Sequence, residues 1–111
     1  MKEINICFQV VNSENPYKYI GKAEINKGII KFTDNNINYI YDREIKRLTK
    51  ESKDSTLVID FNKENILMRN DGNEFNIKIH LLEDKSNDKK IDILYKVDED
   101  LINFIIEMSE V

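Results

Sequence analysis

Hydrophobic and polar side chains alternate most clearly in residues 55–82, STLVIDFNKENILMRNDGNEFNIKIHLL. The stretch reads as three short strands joined by two tight turns. Leu57, Ile59 and Phe61 share one face of the first strand, with Val58 and Asp60 between them. In the third, Phe75, Ile77, Ile79 and Leu81 alternate with Asn76, Lys78 and His80. Successive side chains of a strand point to opposite faces, so a period of two implies one buried and one wetter face. Residues 62–65 and 70–73 read as the turns. Asp71-Gly72 is a strong hairpin signal because glycine tolerates positive φ.

The same rhythm runs through most of the chain. In 3–11, Ile4, Ile6, Phe8 and Val10 oppose Glu3, Asn5, Cys7 and Gln9. Residues 12–16 (NSENP) read as a loop, since Asn and Ser compete with regular pairing and Pro cannot donate to a ladder. Residues 17–26 form a second strand, in which Gly21 and Ala23 leave room for a neighbouring side chain. Lys27-Gly28 turns into a strand at 29–33, and Asp34-Asn35-Asn36 turns into another at 37–41. Residues 42–55 (DREIKRLTKESKDS) break the pattern. Ile45 and Leu48 have helical spacing, but the length and polarity also suit a surface loop, and both readings stand. After the polar connection 83–90 comes a strand at 90–97, then an acidic turn at 98–100. Residues 101–111 fit either a strand or a helical stripe. The strand is preferred, because its predecessor needs a neighbour and the linking turn is short.

About eight or nine short strands, nearly all half apolar, predict an all-β, small antiparallel up-and-down β-barrel, with 42–55 as the place for one short helix. Closure would remove the edge strands that otherwise aggregate. With 111 residues the chain suits one domain spanning 1–111. It is 41% hydrophobic and 34% charged, which separates it from disordered and membrane-spanning classes. The chain opens directly into a strand pattern without an apolar signal core, and one cysteine, Cys7, excludes an internal disulfide. Together these point to a bacterial cytoplasm. The net charge of −4 argues against a nucleic-acid partner, which needs a concentrated basic face. No stretch is apolar enough for a membrane partner either.

Candidate chemistry is sparse. His80 is the only histidine and Cys7 the only cysteine, too few for a zinc centre and too few to raise a Cys–His pair above coincidence. Asp34-x-Asn36-x-Asn38 imitates the start of a calcium loop, but Tyr39 stands where glycine is required and Ile45 where a carboxylate is. Asp98 and Asp100 share a wet turn, where nothing raises a carboxyl pKa for acid–base work. No phosphate-loop, dinucleotide, nucleophile-elbow or CxxC motif occurs, and no cofactor is implied. Arg69, just before the Asp71-Gly72 turn, could hold a carboxylate or phosphate by its bidentate fork, or form a rim salt bridge. Tyr17, Tyr19, Tyr39, Tyr41 and Tyr95 sit on the more apolar faces, and their hydroxyls need partners in the protein or in a ligand. Arg43, Lys46, Arg47, Lys50 and Lys53 are nearly cancelled by Asp42, Glu44, Glu51 and Asp54, the mark of a charged surface loop.

Three segments resemble a small bacterial family of lipocalin-like (calycin-type) β-barrels of unknown function. They are Tyr19-Ile20-Gly21-Lys22 leading into Gly28-Ile29-Ile30-Lys31-Phe32 and Ile37-Asn38-Tyr39-Ile40-Tyr41; the 56–72 hairpin ending Leu67-Met68-Arg69-Asn70-Asp71-Gly72; and Ile91-Asp92-Ile93-Leu94-Tyr95 before a final alternating segment. The family carries a further hairpin with a Thr-Pro-Tyr-Gly-type turn, where this chain has only 83–90. The resemblance therefore implies a trimmed or more open barrel, and it brings no activity with it.

The functional expectation is a non-catalytic binding domain. It would hold a small, partly apolar or anionic ligand, with Arg69, Tyr39, Tyr41 and Tyr95 as candidate contacts. The alternative is a regulatory interaction domain that meets a protein partner, or a second copy, through its outer surface or a sheet edge. An enzyme is disfavoured.

Overall fold

A computed structural model describes residues 2–12 and 16–111. Part of the 12–16 loop, residues 13–15, lies outside the described residues. The described chain is all β and antiparallel, with no helix. Its eleven strands are β1 (Lys2–Val11), β2 (Tyr17–Asn26), β3 (Ile29–Asp34), β4 (Ile37–Asp42), β5 (Arg47–Glu51), β6 (Ser55–Asp60), β7 (Asn65–Asn70), β8 (Asn73–Lys78), β9 (His80–Asp84), β10 (Lys90–Val97) and β11 (Asp100–Glu110). They hydrogen-bond in the order β8-β7-β6-β5-β4-β3-β2-β1-β11-β10-β9. Most sequence neighbours are also ladder neighbours, as short turns require.

Eleven strands replace the eight or nine expected, for two reasons. Residues 42–55 contain β5 rather than a helix or a plain loop. The run 75–81, read as one strand, is broken at Ile79 into β8 and β9. In contrast, the last segment is a strand, β11, the reading preferred from the sequence for 101–111.

The hairpin of β5 and β6 is framed by two turns of one design. Asp42 and Asp60 each precede a four-residue loop that ends in a left-handed residue, Lys46 (φ 52°) and Glu64 (φ 54°). Asp42 Oδ1 accepts the Glu44 N–H at 3.0 Å. Asp60 Oδ1 accepts those of Asn62 and Lys63 at 3.0 and 2.9 Å. Aspartates favour such turns because their side chains satisfy the turn's own amides. In sequence the result imitates a helix start, which is why Ile45 and Leu48 mislead.

The chain divides into two compact units, one built on Ala23–Lys78 and the other on Glu3–Lys22 with Ile79–Val111. In the first, ladder register aligns Ile30, Tyr41, Leu48, Ile59, Ile66 and Ile77 in one row across six strands. The first five are buried and Ile77 is half-buried. Two residues along, on the same face, comes the row Phe32, Tyr39, Lys50, Leu57, Met68 and Phe75. Here burial fades: Phe32 and Tyr39 are buried, Lys50, Leu57 and Met68 half-buried, and Phe75 is 55% exposed. The core position expected for Phe75 is thus corrected, because β8 stands at an end of the strand order with every residue but Ile77 exposed.

In the second unit, the rows Ile91–Ile106–Phe8 and Ile93–Phe104–Val10 cross β10, β11 and β1. All of these are buried except Val10, which is half-buried. Phe8 packs edge-on against Phe104 at 5.2 Å and Tyr17 at 5.6 Å between ring centroids. The room at Gly21 is taken by the Tyr19 ring, whose hydroxyl donates to the Lys22 carbonyl at 3.2 Å.

Candidate functional site

The second row of the first unit leads to a groove. Past Tyr39 and Leu57 the inner face runs toward the Ser52–Ser55 turn and the β7 end of the β7–β8 hairpin, and it is not filled. A cavity of about 240 Å³ opens there. Ile37, Leu57 and Met68 give it apolar walls, Lys50 and Arg69 bring cationic groups, and Ser52, Ser55, Thr56 and Asn70 add neutral polar ones. Among the described residues no carboxylate, imidazole or thiol lines it. In a chain of net charge −4, this is a local reversal of sign.

Lys50 is placed by register. It lies two residues from the buried Leu48, and so on the core face. Its Nζ stands 5.9 Å from the centroid of Tyr39, whose ring stacks on Phe32 at 4.9 Å with an interplanar angle of 5°. A cation over a ring face is attracted to the ring's negative quadrupole. Among the described residues Lys50 forms no ion pair. An ammonium that touches a ring and no carboxylate still has hydrogen-bond donors to offer.

Arg69 differs. Register sets it opposite Thr56 and Glu74, on the face away from Lys50 and Met68. Its Nε meets Glu74 Oε2 at 2.8 Å, with both side chains largely exposed. Such a pair contributes about 0–1 kcal/mol. The guanidinium borders the groove but is already engaged.

Tyr39 and Tyr41 share one face of β4, 4% and 2% exposed, and Tyr95 on β10 of the second unit is 3% exposed. Burial raises the Tyr95 pKa to about 12, because the phenolate would lose its hydration. Every buried side-chain nitrogen and oxygen among the described residues has a hydrogen-bond partner.

The other candidates are dispersed. Cys7 is half-buried opposite Glu107, and its sulfur accepts from Gln9 Nε2 at 3.5 Å. His80 is exposed on β9 opposite Lys96. No group of three or more metal-ligating side chains forms among the described residues, and no helix there is long and apolar enough to cross a membrane.

The basic cluster read as a surface loop is taken apart by β5. Arg47 donates Nε and Nη2 to Asp60 Oδ2 at 3.3 and 3.0 Å, while Lys50 turns to the core face. Asp60, expected on the wetter face, is 5% exposed. Burial alone would raise its pKa, but the Lys63 and Asn62 amides and the Arg47 guanidinium outweigh that and hold it below the usual value. Lys50 and Asp60 were missed for one reason: both depend on recognising β5. The Leu48-x-Lys50 spacing was the available signal.

Comparison of this chain with protein-family models, with curated proteins and with solved structures gives no match.

Proposed function

We propose that this protein is a non-catalytic binding domain that holds a small amphipathic anion in the groove of its Ala23–Lys78 unit. The observation that carries the reading is the lining: apolar walls from Ile37, Leu57 and Met68 and, among the described residues, an ammonium without a carboxylate partner and no acidic side chain. Most ligand pockets have this composition, with apolar walls and few oriented polar groups. Lys50 takes the anionic head. Ser55, on the Leu57 face, adds a hydroxyl to the lining, and the alkyl part lies along Leu57 and Met68. Tyr39 orients Lys50 from beneath, and Arg69 contributes positive potential at the border. Tyr41 and Tyr95 are core residues in this reading and touch no ligand.

Calorimetric titration with octanoate, octylamine and octanol tests the proposal. The expected order of affinity puts octanoate first, and the Lys50→Met variant removes that preference while keeping the fold. Equal binding of all three, or octanoate binding unchanged in the variant, would refute it.

A lipocalin-like barrel belongs to the same proposal, supported by the two-residue alternation of the strands. Small-angle scattering extrapolated to infinite dilution should then give a radius of gyration near about 13 Å, as for a compact domain of this size. A clearly larger value at that limit would contradict it. A cytoplasmic, bacterial setting is part of the reading too, and cell fractionation of the native host checks it.

A further inference from the structure

The β8 strand is exposed along nearly its whole length, and its hydrogen-bonded neighbour in the strand order is β7. The hairpin that joins them fixes which backbone groups face outward. Asn70 and Asn73 close a two-residue turn in which Asp71 and Gly72 have φ of 49° and 81°. Residues flanking such a turn form a hydrogen-bonded pair, and hydrogen-bonded pairs alternate with non-bonded ones along the ladder. Asn73, Phe75 and Ile77 therefore direct their N–H and C=O groups toward β7, while Glu74, Asn76 and Lys78 direct theirs to the other edge. The side chains alternate as well. Phe75 and Ile77 lie on the face of Met68 and Ile66, and Glu74 and Lys78 lie on the face of Arg69.

We infer that this edge pairs with the same edge of a second copy of the chain, antiparallel, about a two-fold axis at Asn76. In that register Asn76 meets Asn76 of the partner subunit, and Glu74, whose Oε2 already accepts from Arg69 Nε at 2.8 Å, meets Lys78 of the partner subunit through its other carboxylate oxygen. Symmetry repeats each contact. Glu74, Asn76 and Lys78 are the residues whose backbone groups face outward, so the pairing is in phase for hydrogen bonds. Opposite charges meet twice on one face, and Phe75 covers Ile77 of the partner subunit on the other. A shift of one residue puts the hydrogen bonds out of phase. A shift of two sets Asn76 against Glu74 or Lys78 and leaves the charges unmatched. An exposed strand with an apolar face is a template for such pairing, and this strand's charges select itself as the complement. Six residues bury far less than the roughly 1,600 Å² of a standard interface, so the dimer is weak and depends on concentration.

Sedimentation of the full chain at rising concentration tests the inference. Wild type should pass from monomer to dimer. Glu74→Lys and Lys78→Glu should each raise the dissociation constant about tenfold, because two attractive cross-strand pairs become repulsive. An equimolar mixture of the two variants should dimerise again. Asn76→Pro removes an outward N–H without touching the β7 ladder, and it should be monomeric with wild-type circular dichroism. Wild type that stays monomeric throughout, a dimer indifferent to Asn76→Pro, or a variant mixture that fails to associate would each overturn the proposal.

Discussion

The two units use the same alternation to different ends. In the second, the rows Ile91–Ile106–Phe8 and Ile93–Phe104–Val10 are apolar throughout, and the aromatic edges of Phe8 and Phe104 interlock. In the first, one row is as continuous, but the next carries Lys50 among Tyr39, Leu57 and Met68 and ends at exposed Phe75. A filled row supplies stability through close packing. A row interrupted by an ammonium leaves space that its neighbours do not close. Placing the charge there lowers the apolar area that folding buries, and the groove beside it stays open.

The contrast is easiest to break in the second unit. Phe104→Ala should destabilise the fold by about 3–5 kcal/mol, since it removes a fully buried ring from a site that cannot collapse around the loss. Urea unfolding measures this, and a loss below about 1 kcal/mol would show that the row is not close-packed.

Asp60→Asn is expected to follow, at about 1–3 kcal/mol, by weakening the contact to Arg47 on β5 and those to the Asn62 and Lys63 amides of the β6–β7 turn. The charge of Asp60 also carries a pH dependence. Its folded pKa lies below the unfolded value, so its stabilising contribution is present above about pH 3.9 and is lost as pH falls through the lower folded value. Acid unfolding of the variant should lack that component.

Tyr95 gives the alkaline counterpart. Its folded pKa of about 12 exceeds the unfolded value of about 10, so the contribution is complete below pH 10 and declines as pH rises toward 12. Tyr95→Phe should flatten the stability profile across that window. The smallest effect belongs to the groove: Lys50→Met should change stability by no more than about 0.5 kcal/mol, since the head group is half-exposed and unpaired. A large loss there would mean that Lys50 is structural.

Much of this architecture can be read from period two alone. Tyr17–Asn26 and Lys90–Val97 have the bounds that the sequence indicates, and the paired positive-φ turn at Asp71-Gly72 is announced by its residues. The failures are local and share a cause. Asp42 caps its own hairpin loop, so residues 42–55 look like a helix start or a loop when they contain a strand. Ile79 breaks a run whose alternation is otherwise unblemished, and alternation carries no information about where a strand bends. The site suffered most from the first error. Without β5, Lys50 reads as one of several loop cations and Arg69 as the better anion contact, although the register turns Arg69 to the opposite face and pairs it with Glu74.

On the proposed function, the anion binds at the interrupted row and not at the filled one. Amide chemical-shift mapping during an octanoate titration tests it most directly. The account predicts shifts that saturate at Lys50, Leu57 and Met68, with Ile91, Phe104 and Ile106 unmoved. Saturable shifts centred on the second unit, or none at Lys50, would contradict it.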